Sequence, residues 1–445
     1  MATWTNWAGN VSADVVLQSP RSVEGVQHAI TTAVQNHMYV KPIGAGHSFT
    51  AIGRPGGGSP GDSGVARRAG VQLQLDRLAG ILRADRETGL VTVLAGTRLH
   101  DLNGALWQLG LSMSNLGDID VQTISGAIST GTHGTGIVLG GIATQVRALQ
   151  LVLADGTLLN CSPEQNPEVF AAARVGLGAL GVLTTVTLQC EPAFALAAAE
   201  SPEPLDDVLV DLDANVDGND HFEFYWFPHT RRTLTKRNNR VLPDTPLQPL
   251  GRVRQYIDDE LLSNTVFDAI NKLTTRRPTL IPRLNAFAAR AMSARGYIDR
   301  SYNVFASPRR VKFREMEYAV PRAAVPQVLG EIEEYLTRSG EQIGFPVEVR
   351  FAAADDIWLS TAQGRDTGYI AVHQYIRRDH EPYFRAVEAI AKDVDGRPHW
   401  GKLHFRDAES LRATYSKFDD FVALRDRLDP QRLFGNDYLA RVLGP

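Results

Sequence analysis

Short apolar runs and helical patterns alternate along the first 190 residues. Apolar side chains recur at helical spacing from Val23 to Val34 behind a candidate N-cap, Ser22, which predicts a helix. A second helix is predicted over 98–110. Strand-like runs occur at 14–20, 39–46, 70–78, 90–96 and 149–160, and a loop is predicted at 54–70 from its glycines and prolines. The pattern predicts an α+β unit in which most glycines occupy turns.

The pattern changes from about residue 193 onward. The segment 217–229, DGNDHFEFYWFPH, alternates aromatic and polar residues, as expected of a strand that lines a wall. Residues 245–310 hold more charged residues and helix formers, with Pro278 and Pro282 as breaks. Further strands are predicted at 313–321, 345–355 and 369–376, and an amphipathic helix is predicted at 323–340. The change predicts a second structural unit.

The composition is that of an ordinary globular protein, with 43% hydrophobic and 22% charged residues and a net charge of −4. The charge balance and the lack of a long basic run argue against nucleic acid as a partner. Two cysteines, Cys161 and Cys190, make neither a disulfide framework nor a metal cluster. No apolar run approaches the roughly 18 residues of a membrane helix, and the N-terminus does not resemble a signal peptide. We therefore expect a cytoplasmic protein without a membrane span.

Three loops of small residues follow or precede predicted strands. The first runs through Gly44, Ala45 and Gly46 into His47, and a strand followed by Gly-x-Gly leaves backbone N–H groups free to hold phosphate oxygens. The second, SGAISTGTHGTG at 125–136, is too polar and flexible for a core and offers N–H and O–H donors. The third lies at 176–188. Taken alone, each of these segments is also typical of an ordinary turn or surface loop. Because all three lie beside strands, together they favour one long ligand that lies across several loops.

Neither common nucleotide motif is present. The sequence has no GxGxxG that opens a helix with an acidic residue about 20 positions later. It also has no GxxxxGK[ST] phosphate-binding loop.

Charged residues interrupt two apolar stretches of the second half. Glu348 and Arg350 are two apart in a predicted strand, so they share one face while Val347, Val349 and Phe351 take the other. This pair is either a structural ion pair or a site for a polyol, with one acceptor and one donor. In PHWGKLHF, Lys402 lies between His399 and His404, but no acidic third ligand accompanies the histidines at metal spacing, so no metal site is predicted.

Taken together, these segments resemble the vanillyl-alcohol oxidase flavoprotein superfamily over nearly the whole chain. Within it they are similar to the sugar-1,4-lactone oxidase branch, the L-gulono-, L-galactono- and D-arabinono-lactone oxidases and dehydrogenases, with bacterial alditol oxidases as close relatives. The markers are NWAGN (6–10), GAGHSFTAI (44–52), GDIDVQTISGAISTGTHGTG (117–136), GLGALGV (176–182), VEVRF (347–351), GRDT (364–367), RPHWGK (397–402) and FGNDY (434–438).

The resemblance implies an α+β fold with three parts. A two-subdomain FAD-binding domain of the vanillyl-alcohol oxidase type would occupy residues 1–192. An α+β substrate domain, or cap, with an antiparallel sheet would follow at 193–398. The segment 399–445 would return to the FAD-binding domain.

The resemblance also implies an extended FAD whose pyrophosphate is held by the 43–48 loop and the 125–136 segment. His47 matches the position where relatives join an imidazole covalently to the flavin ring methyl group. The small residues around it would let the main chain approach the cofactor. The full set of implied cofactor residues is Ile43, Gly44, Ala45, Gly46, His47, Ser48, Asn115, Gly117, Asp118, Thr123, Ser125, Gly126, Ser129, Thr130, Gly131, His133, Gly134, Gly181, Val182 and Lys402.

Glu348, Arg350 and Lys402 match the family's substrate-contacting residues. Arg350 and Lys402 would stabilise the alkoxide and the charge of the reduced flavin. Glu348 should have a lowered pKa beside Arg350, which makes it a weaker base that mainly orients hydroxyl groups. His373 and Tyr375 share one face of a strand and either line the same wall or simply pack.

The implied reaction is oxidation of the C2 hydroxyl of an L-gulono-1,4-lactone-type substrate to an ascorbate-type product, with O2 reduced to H2O2. Alditol oxidases carry Ala-Ser where this chain has Gly117-Asp118, so a lactone is favoured over an open-chain polyol such as xylitol or sorbitol. Gly117 favours O2 as acceptor, yet some relatives with glycine there are thought to be dehydrogenases, which leaves a non-oxygen acceptor open. From different classes, a metal-dependent hydrolase that uses His399 and His404 and a sugar-binding protein without catalysis also stay open.

Overall fold

The computed structural model describes residues 1–56, 70–251, 264–307 and 310–445. The loop predicted over 54–70 lies mostly outside the described residues. The described residues form an α+β fold, as predicted from the sequence. No helix among them is long and apolar enough to cross a membrane.

The first half contains short strands with four helices between them, counted over its described residues. Its helices are α1 (Val23–Gln35), α2 (Leu99–Gln108), α3 (Ile124–Ser129) and α4 (Pro167–Ala173). Its strands are β1 (Ala2–Thr5), β2 (Ser12–Gln18), β3 (Tyr39–Ile43), β4 (Gly70–Gln74), β5 (Ile81–Ala84), β6 (Leu90–Leu94), β7 (Leu111–Ser112), β8 (Val146–Val152), β9 (Leu158–Cys161), β10 (Val182–Gln189) and β11 (Glu191–Pro192). The predicted cap of α1 is present, since the Ser22 side chain accepts from the N–H of Gly25.

Two larger sheets organise this half within the described residues, and β7 pairs with β11 in a separate antiparallel pair. One has the order β1-β2-β4-β3, and β4 runs parallel to both β2 and β3. The other is antiparallel, with the order β5-β6-β10-β8-β9. Strand β3 ends at Ile43, so the glycine loop at 44–46 begins where a parallel strand stops.

The second half is built on one large sheet. Its strands are β12 (Ala195–Pro204), β13 (His221–Trp226), β14 (Arg232–Arg240), β15 (Arg295–Arg300), β16 (Phe313–Pro321), β17 (Val347–Ala352), β18 (Thr367–Tyr375) and β19 (Arg397–Pro398). Its helices are α5 (Leu205–Val210), α6 (Leu212–Asp217), α7 (Phe267–Arg276), α8 (Ile281–Ala291), α9 (Ser301–Phe305), α10 (Val325–Ser339), α11 (Glu381–Asp393), α12 (Ala408–Arg412), α13 (Phe418–Leu428) and α14 (Asp437–Leu443). Over the described residues the strands pair antiparallel in the order β15-β12-β14-β13-β17-β18-β16-β19.

Strand alternation gives this sheet two different faces. Phe222, Phe224, Val349 and Phe351 belong to a buried hydrophobic cluster that also includes α5, α6, α10 and α11. The residues between them, such as Glu223 and Arg350, point to the opposite face. The charged face is therefore turned toward the first half.

The last segment of the chain packs on the first half. Trp400, Phe421, Phe434 and Leu439 are buried in the same hydrophobic cluster as the residues of β4, β6 and β10. Main-chain bonds join the two parts as well, from Phe49 N to Gly401 O at 2.7 Å.

Two local predictions were wrong. Residues 125–136 were expected to be too polar and flexible for a core, but Ser125, Thr130 and His133 are all less than 9% exposed. Small side chains allow this segment to start as α3, capped by Thr123, and to bury its polar groups with partners. Pro282 does not break a helix but lies in the first turn of α8, where a missing N–H is tolerated; Pro278 does lie between α7 and α8.

Candidate active site

Two cavities meet between the halves of the molecule. The first is lined by the loop that follows β3, by α3 and by the 177–183 segment. Predicted cofactor residues that line it are Ile43, Gly44, Ala45, Gly46, His47, Ser48, Thr123, Ser125, Gly126, Ser129, Thr130 and Gly181. Trp4, Lys41 and Gln122 also line it, and sequence reasoning did not single them out.

The glycine loop presents a row of main-chain donors to the first cavity. Among the described residues, the N–H groups of Ala45, Gly46, His47 and Ser48 have no acceptor. Gly46 has a φ of +69°, which glycine adopts without strain. A Cβ on Gly44 would lie 2.1 Å from Oγ1 of Thr123, so only glycine allows this approach. Successive free N–H groups of this kind bind anions, and they fit the pyrophosphate of FAD.

Not every implied cofactor residue reaches this cavity. Gly117, Asp118, His133 and Lys402 line the second cavity instead, together with His47, Ser48 and Thr130. Asn115, Gly131, Gly134 and Val182 line neither of the two cavities. Gly134 packs under Asn115, since a Cβ there would lie 2.3 Å from Oδ1 of that residue.

His47 lies where the two cavities join, because it lines both. Its ring stacks on Trp7, with the ring centres 5.0 Å apart. Burial, and then the nearby charges of Lys312 and Arg98, lower the pKa of His47 to about 4. The imidazole is therefore neutral at pH 7 and keeps a nitrogen lone pair.

The second cavity has a volume of about 470 Å³ and lies over the charged face of the large sheet. Its wall includes all three predicted catalytic residues, Glu348, Arg350 and Lys402. His373 also lines it, whereas Tyr375 donates to Asp268 and is 2% exposed, so its side chain packs. His47, which also lines this cavity, lies 355 positions before Lys402, so the fold brings distant segments of the chain to one wall.

Arg350 lies at the centre of one buried charge cluster. Its Nε donates to Glu223 at 2.9 Å, its Nη2 pairs with Glu348, and Asp118 lies 3.7 Å away across the cavity. Burial alone would lower the pKa of Arg350, but these carboxylates outweigh it and hold the pKa well above its ordinary value. Arg350 therefore stays positively charged.

The carboxylate of Glu223 is the second member of this cluster. Burial opposes its ionisation, yet Arg350 and Lys236 together lower the pKa of Glu223 to about 2. Tyr225 donates to Glu223 at 3.2 Å and to Glu348 at 3.3 Å, which fixes both carboxylates. The cluster is thus a hydrogen-bonded network rather than an isolated pair.

Lys402 lies at the centre of a second cluster. Its Nζ is 2.5 Å from Glu315 and 2.7 Å from Glu317, both on β16. Burial alone would lower the pKa of Lys402, but these two carboxylates raise it above its ordinary value. Arg350 and Lys402 are therefore permanent cations of the cavity wall, which Lys236, Arg295 and Arg310 also line.

His133 connects the second cluster to the first half of the chain. Its Nε2 is 2.7 Å from Glu317 and its Nδ1 is 2.9 Å from the carbonyl oxygen of Gly134, so both nitrogens face acceptors. Its ring stacks on Tyr369 at 3.5 Å. His133 thus holds Glu317, which in turn holds Lys402.

His133, Glu317 and His399 form a buried group whose possible ligand atoms lie within 4.8 Å of one another. Glu317 is already paired with Lys402 and His133, and Nδ1 of His399 accepts from the N–H of Gly401. His404 lies outside this group and bonds with the Tyr438 hydroxyl. The local chemistry is that of an ion-pair network.

Sequence reasoning missed Glu223, Glu315 and Glu317. The signal was present in the strand patterns, because Glu223 stands alone among aromatic residues in HFEFYWF. Glu315 and Glu317 are two apart in FREMEYAVP, which places both on one face. A carboxylate in an otherwise apolar strand needs a cation, and here the cations come from distant segments.

Asn436 joins the last helix to the chain that follows the glycine loop. Its side-chain amide donates to the carbonyl oxygens of Ala51, Ile52 and Arg54 at 3.3, 3.0 and 2.8 Å. Its Oδ1 accepts from the N–H of Leu439 at 2.8 Å and caps α14. Asn436, a residue of the FGNDY marker, therefore links the last helix to the chain that follows the glycine loop.

Comparisons with known proteins identify the family of the chain. Residues 186–442 match the family model described as D-arabinono-1,4-lactone oxidase, and residues 15–162 match the model of an FAD binding domain. The chain is 42% identical to the L-gulono-1,4-lactone dehydrogenase of Mycobacterium tuberculosis over 443 residues, which cover 99% of each chain. It is 35% identical to the L-gulonolactone oxidase of Bos taurus, covering 95% of this chain and 94% of the bovine one.

The chain is also similar to a more distant relative and to a solved structure. The alditol oxidase of a Streptomyces species is 29% identical, covering 99% of this chain and 98% of that protein. The cholesterol oxidase of B. sterolicum has a TM-score of 0.81 at 19% identity, covering 100% of this chain and 96% of that one, which shows a shared fold. The chain belongs to the D-arabinono-1,4-lactone oxidase family, and it is an FAD-dependent oxidoreductase.

Proposed function

We propose that this enzyme oxidises the C2 hydroxyl of a sugar-1,4-lactone of the L-gulono-1,4-lactone type and yields an ascorbate-type product. The observation that carries the proposal is the junction of two cavities at His47, with a row of free N–H groups on one side and two fixed cations on the other. The relatives named as L-gulonolactone enzymes support a lactone as substrate.

FAD bound in the first cavity would supply a hydride acceptor for the oxidation of the substrate carbon. The N–H groups of Ala45 to Ser48 would hold its pyrophosphate, and Thr123, Ser125 and Ser129 add hydroxyl groups along the cavity. We infer that an imidazole nitrogen of His47 would hold the flavin covalently, because its neutral imidazole lies at the end of the cavity nearest the substrate side. The new bond would replace one C–H bond of the ring methyl group, with the proton released and the two electrons passed to the enzyme's electron acceptor.

The charged residues of the second cavity would prepare the hydroxyl for this step. Arg350 and Lys402 stabilise the developing alkoxide, since both keep their charge in a buried site. Glu348 is paired with Arg350, which makes it a weak base that orients hydroxyl groups.

His373 lines the same cavity, and both of its ring nitrogens face acceptors. Its Nδ1 is 3.3 Å from the Pro346 carbonyl oxygen, and its Nε2 is 3.4 Å from Glu315. We therefore assign His373 a role in holding Glu315, and with it Lys402, rather than the removal of the hydroxyl proton.

The acceptor of the electrons is proposed to be O2, with H2O2 as product. Gly117 lines the second cavity, and the family resemblance implies that a small residue at this position eases the access of O2 to the flavin. The relative named as a dehydrogenase favours a second candidate, an aldonolactone dehydrogenase that uses another acceptor. Peroxide yield compared with reduction of a soluble dye separates the two.

Anaerobic stopped-flow reduction of the bound flavin tests the reaction itself. We expect reduction by L-gulono-1,4-lactone and much slower reduction by xylitol. Glu348→Gln and Lys402→Ala should slow reduction by about 100-fold or more while FAD stays bound. Lys417→Ala, at an exposed lysine paired with Asp420, is the matched control and should change nothing. Rates that survive both site changes would refute this site assignment, and faster reduction by xylitol would point to an alditol oxidase.

A further inference from the structure

A row of alternating charges crosses five neighbouring strands of the large sheet. Arg295 of β15 is in register with Glu200 of β12, which on its other side is in register with Lys236 of β14. Lys236 is in register with Glu223 of β13, and Glu223 accepts from Nε of Arg350 on β17 at 2.9 Å. Residues directly opposite one another on neighbouring strands share one face of a sheet. We call these five residues the charged row.

The charged row holds its charges in buried ion pairs. Nε and Nη2 of Arg295 donate to the two carboxylate oxygens of Glu200, both at 2.8 Å, and Nζ of Lys236 lies 3.2 Å from Glu223. Glu200 is 5% exposed and Glu223 is 7% exposed. The pairing of buried charges repays little more than the cost of burying them, and main-chain hydrogen bonds already join these strands. The stability of the sheet therefore does not explain the row.

The charged row forms part of the wall of the second cavity, which Arg295, Glu200, Lys236 and Arg350 all line. Four strand spacings of about 4.8 Å separate β17 from β15, so the row extends over about 19 Å. A five-membered lactone ring, with bonds of about 1.5 Å, covers about one of these spacings. A lactone at Arg350 would therefore leave the other three cavity residues of the row without substrate contact. We call those three residues the outer row.

The outer row lies on the side of the cavity away from the proposed flavin contacts. His47 stacks on Trp7, and Trp7 contacts Phe313 at the start of β16. Lys402 pairs with two carboxylates of the same strand. In the sheet order β15-β12-β14-β13-β17-β18-β16-β19, strand β16 lies beyond β17 on the side opposite β15. A group that extends from the lactone along the row would therefore lead away from the flavin.

The chemistry of the outer row fits a neutral ligand that is rich in hydroxyl groups. Because the charges alternate in sign, a ligand hydroxyl can donate to a carboxylate and accept from the neighbouring cation. An anion would meet the carboxylate of Glu200, and an apolar group would leave the charges without hydrogen bonds. Leu234 and Tyr225, in register on β14 and β13, line the same cavity and offer apolar surface to the face of a sugar ring.

We propose that the outer row is a subsite for a sugar unit carried by the substrate, so that the enzyme accepts a 1,4-lactone whose exocyclic carbons are joined to a further sugar. This inference rests on the proposed function, which assigns the lactone ring to the Arg350 end of the row. In such a lactone the exocyclic carbons are attached to C4, across the ring from the reacting C2. The added sugar would therefore extend along the row while C2 stays on the flavin side.

Anaerobic reduction of the flavin in the holoenzyme tests the subsite with two probes, L-gulono-1,4-lactone and 6-O-β-D-glucopyranosyl-L-gulono-1,4-lactone. The dependence of the reduction rate on concentration gives an apparent Kd and a limiting rate for each probe. We expect the glucosyl lactone to bind about tenfold more tightly or better, because its added hydroxyl groups form hydrogen bonds to charged side chains. The limiting rates should be similar, since the reacting carbon is the same.

Variants of the outer row test which residues hold the added sugar. Glu200→Gln with Arg295→Gln removes both members of one ion pair and should raise the Kd of the glucosyl lactone about tenfold, while that of the parent lactone stays within twofold. Glu203→Gln with Arg237→Gln is the matched control, because this ion pair also joins β12 to β14 but does not line the cavity. It should change neither Kd. Leu234→Trp narrows the subsite and should weaken binding of the glucosyl lactone alone.

The outcomes separate this subsite from the proposed function. If the parent lactone reduces the flavin and the glucosyl lactone binds no more tightly, the subsite is overturned and the proposed function stands. If neither lactone reduces the flavin, the proposed function is refuted and the subsite with it. An equal gain by the 6-O-benzyl lactone, or a larger gain by the 6-phosphate, would assign this part of the cavity to an apolar group or to an anion and overturn the sugar subsite. Leu234→Trp decides the matter if the double variant loses its flavin, and unchanged binding of the glucosyl lactone to it would overturn the subsite.

Discussion

Nε2 of His133 lies 2.7 Å from Oε1 of Glu317, so a loop of the first half holds a carboxylate of the large sheet. The other oxygen of that carboxylate is 2.7 Å from Nζ of Lys402, which comes from the last segment of the chain. The first half, the large sheet and the last segment of the chain therefore each contribute one residue to a chain of charges beside the second cavity. His133 is placed to fix Lys402 through Glu317 rather than to touch the first cavity.

Replacing His133 should affect the reaction more than cofactor binding. With His133→Asn, Glu317 loses one of its two partners and Lys402 loses a fixed position, so flavin reduction should slow by about 10- to 100-fold. FAD content should stay near that of wild type because His133 does not line the first cavity. Flavin absorbance per chain and anaerobic reduction rates measure both effects.

Tyr369→Phe serves as the control for this change. It keeps the ring that stacks on His133 and removes only the hydroxyl that lies 2.9 Å from Thr361. Its reduction rate should stay within a few-fold of wild type. Loss of FAD from His133→Asn, with normal reduction of the remaining flavin, would contradict the role given to His133.

Covalent flavin attachment should persist into acidic solution. Bond formation needs the neutral imidazole, and the pKa of His47 is lowered to about 4 by burial and by Lys312 and Arg98. A histidine with the ordinary value of about 6.5 would be mostly protonated at pH 5.5, whereas this one stays neutral. Apoprotein made under riboflavin starvation and then given FAD should therefore incorporate flavin equally at pH 5.5 and pH 7.5.

Acid precipitation followed by absorbance of the pellet measures the incorporated flavin. His47→Ala should give a colourless pellet at both pH values, with any flavin left in the supernatant. A sharp fall in incorporation between pH 7.5 and pH 5.5 would contradict the lowered pKa. If acid precipitation of the wild-type protein released the flavin into the supernatant, the flavin would not be bound covalently.

The fold was predictable from the sequence because strand and helix periods are local properties. Ser22 before a helical repeat and the alternation through VEVRF each depend on a few neighbouring residues, and both were predicted correctly. The face shared by Glu348 and Arg350 followed from the same alternation.

The partners in the site were not predictable in this way. Glu223 lies 127 positions from Arg350, and Glu317 lies 85 positions from Lys402. Sequence spacing gives the direction of a side chain in its own strand, but strand order decides which charge stands opposite. The burial of residues 125–136 was missed for a similar reason, since hydroxyl groups look exposed until their distant partners are known.

Acid should weaken the fold through Glu223. Its pKa in the folded protein is about 2, against an ordinary value of 4.5, because Arg350 and Lys236 outweigh its burial. The unfolded chain therefore takes up the proton first, so the stabilisation is complete above about pH 4.5 and is lost progressively as the pH falls to about 2. Glu223→Gln removes this contribution and leaves Arg350 with one partner fewer.

The difference between wild type and Glu223→Gln should depend on pH. Near neutral pH the variant should lose roughly 3 kcal/mol of unfolding free energy, as when one member of a buried pair is removed. The gap should narrow as the pH falls from 4.5 toward 2. Urea unfolding followed by circular dichroism at several pH values measures it, and a gap that stays constant over this range would show that Glu223 does not titrate as stated.

Asn436 offers a test of how the last segment of the chain supports residues 51–54, which follow the glycine loop. Its amide donates to three carbonyl oxygens at residues 51–54, and its Oδ1 caps α14, so Asn436→Ala loses both functions. The variant should lose about 3 kcal/mol of unfolding free energy, at about 1 kcal/mol for the cap and the rest for the donated bonds. Asn303→Ala, at an exposed asparagine, should change stability little.

Asn436→Asp separates the two functions because it keeps the cap and loses the donors. Its carboxylate would face three carbonyl oxygens, so at neutral pH it should destabilise the protein at least as much as alanine does. Below the ordinary aspartate pKa of about 4, the protonated side chain regains one donor, and part of the deficit relative to wild type should disappear. A variant that is as stable as wild type at pH 7 would mean that the cap alone matters and that the contacts with residues 51–54 contribute nothing.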